Sequence, residues 1–166
     1  MRELSIATAV LSAVSFVIYL SFYDILIPGL PEGSYRLAIG SMFAIPALLL
    51  ALGQVGIGGA IITFAVSSIR KERLSKENYL KSLFVASLIT LLFAFTYVIY
   101  PFYGPFYYIV FSAGGLSPVI IAGEIAWTAI MVVAGTLLIS RMNKLRTSHA
   151  LLVTVIAIIF ITVAAS

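Results

Sequence analysis

The chain has 166 residues, 62% of them hydrophobic and only 10% charged, with a mean hydropathy of +1.16. Soluble domains carry about 25% charged residues, so this composition excludes a water-soluble fold and makes lipid the expected solvent for a single helical unit over 1–166. The net charge of +4 does not mark a nucleic-acid binder, because the basic residues sit at the ends of apolar runs.

The first apolar run predicts a span over 4–27. It is too long for a signal-peptide core, and no small-residue cleavage pattern follows it. Ala9 and Ala13 form a small-xxx-small pair, expected to allow tight packing within the bundle. The sequence IPGLPEGS then predicts a turn over 28–36, flanked by Glu32 and Arg36.

Residues 37–69 are continuously apolar. As one helix they would measure about 50 Å, against about 30 Å for a bilayer core. Two solutions are open: one tilted span over 43–69 after a surface segment, or two short spans meeting at GQVGIGG, residues 53–59. The four glycines there predict a break or very close packing. A phosphate-binding loop is a poor reading, since the following Lys-Ser/Thr pair is missing and the run is apolar.

The stretch 70–81, RKERLSKENYLK, follows. It holds five of the ten Lys and Arg residues and two of the six acids. Ser75 is placed to cap a helix, and Glu77 lies four residues before Lys81 on one helical face. A span over 79–100 comes next, then PFYGPFYYIVFSAGGLSP, residues 101–118. Its uncharged, Tyr- and Phe-rich composition predicts a loop lying in the headgroup layer. Pro118 suits the opening of a helix over 117–140, which contains Glu124 and the sole tryptophan, Trp127. A second basic stretch, 141–149, precedes a short last span over 150–165.

The fold class is therefore an all-α integral membrane bundle of five or six transmembrane helices with short loops, five being favoured. Two spans separate the basic stretches 70–81 and 141–149, so both face one side. The positive-inside rule makes that side cytoplasmic and the C-terminus external, in a multi-pass protein of the cell membrane. Five spans put the N-terminus in the cytoplasm, and Arg2 agrees.

Few residues offer chemistry. With no Cys and one His, His149, no metal or haem site is expected, and no cofactor. No Ser-His-Asp set or paired carboxylates can be read, so no catalytic residue is assigned and a non-enzymatic role is expected. Glu124 is the one acid well inside a predicted span, roughly 10 Å deep, where a carboxylate is costly and marks a candidate site. Arg36, Tyr103, Tyr107 and Trp127 converge on the same predicted external side and complete a candidate ligand-binding set with Glu124.

Residues 35–61, YRLAIGSMFAIPALLLALGQVGIGGAI, loosely resemble the second and third spans of the substrate-binding components of energy-coupling-factor vitamin transporters. The Ala9 and Ala13 pair is similar to the small-residue motif of their first span. The resemblance implies a solute-binding membrane subunit with six spans and a cytoplasmic N-terminus. That arrangement would put 70–81 outside, and the glycine spacing differs, so the family is not assigned. The leading expectation is a small transport or ligand-binding membrane component. The alternative is an accessory subunit of a larger membrane complex, such as a respiratory assembly. Either way the expected partners are the lipid bilayer and other membrane subunits or further copies of the chain.

Overall fold

The computed structural model describes the backbone of residues 1–26, 34–112 and 118–163, and side chains over 1–20, 42, 44–96, 122–123 and 125–163. Among the described residues there are five helices: α1 (Arg2–Leu26), α2 (Ser34–Arg70), α3 (Lys76–Ser112), α4 (Pro118–Asn143) and α5 (Thr147–Val163). Four of them, α1 to α4, are long and apolar enough to cross a membrane; α5 is apolar but has 17 residues.

Successive helices run antiparallel. Gly59 faces Leu83, while Ala47 shares a cluster with Ala94, so α2 and α3 run in opposite directions. Trp127 meets Leu92 and Gly135 meets Ile89, which does the same for α3 and α4. The central pair is α2 and α3, with α1 packed against both and α5 lying against α2 and α4. One core of aliphatic residues joins α2, α3, α4 and α5 around Ile62, Val85, Ile89, Ile139 and Ile161. A second joins Tyr19 of α1 to Ala47, Ala51 and Ala94, whose small side chains let three helices close on one another.

Residues 53–59 do not break the chain; α2 is one helix of 37 residues, about 55 Å long. The two-span solution is overturned. A glycine costs about 1 kcal/mol relative to Ala within a helix. A break in apolar surroundings strands backbone N–H and C=O groups, each at several kcal/mol. Close packing is the part of that expectation that holds. A Cβ on Gly58 would lie 2.8 Å from Ile161 Cδ1, and one on Gly59 would lie 2.6 Å from Leu83 Cδ2.

The aromatic stretch is also corrected. The span does not end at 100: helix α3 continues to Ser112, through Pro101 and Pro105, so most of the expected loop 101–118 is helical. Proline's φ is compatible with a helix, and the one donor it lacks costs less than unpairing a whole apolar segment. Likewise α2 starts at Ser34, so Arg36 stands in its first turn rather than in a loop. Pro118 opens α4, as its position predicts. A third correction concerns Ala9 and Ala13. Both are exposed and point away from the bundle, in line with exposed Ser5.

Candidate functional site

The residues expected to form an external site are distributed over three helices: Arg36 on α2, Tyr103 and Tyr107 on α3, Glu124 and Trp127 on α4. The side chains of Arg36, Tyr103, Tyr107 and Glu124 lie outside the described residues. Trp127 is described. Its indole Nε1–H donates to the carbonyl of Leu92 at 2.9 Å, tying α4 to α3 while the ring stays half-buried. The donor this side chain offered to a ligand is thus used between helices.

Sequence reasoning missed a buried polar link between three helices. Tyr19 donates its hydroxyl to Gln54 Oε1 at 2.6 Å, and Gln54 Nε2 donates to the carbonyl of Ile161 at 3.1 Å. One glutamine side chain thereby joins α1, α2 and α5. Gln54 is fully buried and Tyr19 nearly so. The available signal was a single amide in a long apolar run, with a lone tyrosine in the preceding span. Most other buried hydroxyls bond back to their own helix, as Thr63 does to Gly59 and Thr154 to Ala150. Among the described residues Ser67, Thr90 and Thr136 hydroxyls and Asn143 Oδ1 are buried without a partner.

The charged side chains with described positions gather at the end of the bundle where α2 and α4 finish and α3 and α5 begin. Both helix ends close with a lysine in the left-handed region, Lys71 at φ 53° and Lys144 at φ 50°. The amide of Glu72 returns to the carbonyl of Ser67 at 3.1 Å, and that of Leu145 to Ser140 at 3.1 Å. These are Schellman-type stops in which lysine fills the place glycine usually takes. Ser75 caps α3 as expected, accepting the Asn78 amide at 3.1 Å. Glu77 pairs with Lys81 at 2.6 Å and Arg70 with Glu72 at 2.7 Å. The N-terminal ammonium is within electrostatic reach of Glu77, so α1 begins at this same end. His149 is exposed in the first turn of α5, also at this end.

No family model matches the chain, no curated protein matches it in sequence, and no solved structure matches its fold.

Proposed function

We propose that this chain is a non-enzymatic, five-span protein of the cell membrane that works as a subunit of a membrane assembly. The membrane part rests on an inverted distribution of side chains. Ile45, Leu49, Phe64, Ile125, Val133 and Leu152 are exposed, while Gln54 and Tyr19 are buried. Lipid accepts such a surface and water does not. Two basic turns and the N-terminus share one end, which the positive-inside rule assigns to the cytoplasm, leaving the end of α5 external.

The observation that carries the assembly role is the outward row Ser5, Ala9 and Ala13 on α1, repeated in kind by Ala122 and Ala126 on α4. Residues four apart share a helix face. Rows of small residues let membrane helices approach closely and offer little to lipid chains. These two helices are also the peripheral ones, with 22% of each span buried against 39% for α2 and α3. The row therefore suits a further helix, from another subunit or a second copy.

A transport or ligand-binding role is the second reading, favoured by Glu124, an acid one turn before Trp127 in the otherwise apolar first half of α4. One experiment separates the two. Membranes are solubilised in mild detergent and the particle sized under native conditions. The assembly reading predicts a particle well above the 17.9 kDa monomer, reduced in size by Ala9→Leu with Ala13→Leu. A monomer in wild type would overturn it. A monomer stabilised by a small solute in wild type but not in Glu124→Gln would establish the second reading instead.

A further inference from the structure

At the charged end the turns between α2 and α3 and between α4 and α5 border an open cavity of about 330 Å³. Four cations line it, Arg70, Arg73, Lys81 and Lys144, against two acids, Glu72 and Glu77. Each acid is already taken: Glu72 by Arg70 at 2.7 Å and Glu77 by Lys81 at 2.6 Å. Arg73 and Lys144 have no ion-pair partner among the described residues, so the cavity keeps a surplus of two positive charges. The wall also includes the N-terminus of α3, whose first backbone amides lie at the positive end of a 37-residue helix.

A second observation points the same way. Asn78 lines this cavity yet is only 9% exposed. Its backbone amide is bonded to Ser75 Oγ and its carbonyl accepts from Ser82 Oγ. Its side-chain amide holds no hydrogen bond among the described residues. Its NH2 group therefore remains available as a donor for an oxyanion in the cavity.

We propose that this cavity binds a phosphate-bearing anion. Arg73 and Lys144 supply charge, and the side-chain amide of Asn78 supplies directed hydrogen bonds. On the membrane reading the cavity lies at the cytoplasmic headgroup level, where basic pockets between helices meet anionic lipids, so an anionic phospholipid is the expected source. Only that source rests on the membrane reading.

The test uses the full chain in an uncharged detergent. Thermal stability is followed on adding dioleoylphosphatidylglycerol, dioleoylphosphatidylcholine or inorganic phosphate. Phosphatidylglycerol is expected to stabilise more than phosphatidylcholine, with apparent affinity roughly tenfold lower in Arg73→Gln with Lys144→Gln. The control pair, Lys76→Gln with Arg146→Gln, removes the same charge from the same end without touching the cavity wall, and should retain most of the response. Asn78→Ala, which changes no charge, should lose part of it. Stabilisation by inorganic phosphate alone would support the site with a soluble phosphate compound as ligand. Equal loss in both double variants, or an unaltered Asn78→Ala, would overturn the proposal. So would indifference to both phosphatidylglycerol and phosphate. That last result in a protein resisting alkaline carbonate extraction would refute the site and leave the membrane reading standing.

Discussion

Glycine at this packing density is a statement about distance, and the glycines of α2 differ sharply in what they meet. Gly53 and Gly56 have nothing within 4 Å of an added Cβ, whereas Gly59 has Leu83 Cδ2 at 2.6 Å and Leu83 Cα at 3.3 Å. Gly53→Ala should therefore be neutral or stabilising by up to about 1 kcal/mol, through helix propensity alone. Gly59→Ala should destabilise by about 1–3 kcal/mol, because Leu83 must move and its backbone sits too close to yield freely. Reversible unfolding in mixed detergent micelles measures both, and equal effects would contradict the packing. The Tyr19–Gln54 bond invites the same treatment. Tyr19→Phe strands a buried amide oxygen and should cost about 0.5–2 kcal/mol, the range for polar links between membrane helices and buried acceptors. Gln54→Leu removes both bonds at once, so a following Tyr19→Phe should add little. Additive losses would mean that the two side chains are not coupled.

At the scale of the helices, what the sequence made legible was whatever depends on local chemistry. Pro118 at a helix start, Ser75 as a cap and the Glu77–Lys81 pair all appear where their spacing puts them. Where local chemistry and apolar surroundings disagreed, the surroundings won. The glycines of 53–59 and the prolines at 101 and 105 read as breaks in water, and both stretches are helical. The candidate site was legible only in part. Trp127 was singled out for its rarity, but its bond to Leu92 depends on how α3 and α4 register, which no local pattern encodes. The outward face of Ala9 and Ala13 has the same origin. Spacing places them on one face, and only the packing of α1 says which way that face looks. For that reason the assembly reading is best tested on α1. Leucine at both positions adds bulk without polarity, so lipid would tolerate it and a docked helix would not. Loss of the larger native particle with normal membrane insertion is the expected outcome.

For the molecule as a whole, the arrangement follows from where charge is allowed. Among the described residues α1 begins at one end of the bundle and α5 runs toward the other, and nearly all the charged side chains with described positions lie at the end shared by the N-terminus and the two basic turns. The sidedness of the cavity follows from this arrangement. The absence of native Cys makes it directly measurable, since every introduced thiol is unique. Single cysteines at Ser5, Ser75, Ser148 and Ser166 would be labelled with a membrane-impermeant maleimide in sealed cells and in inverted vesicles. The account predicts that Ser5→Cys, Ser75→Cys and Ser148→Cys react only in inverted vesicles and Ser166→Cys only in cells. Labelling of Ser75→Cys from outside, or of Ser5→Cys and Ser75→Cys from opposite sides, would contradict it.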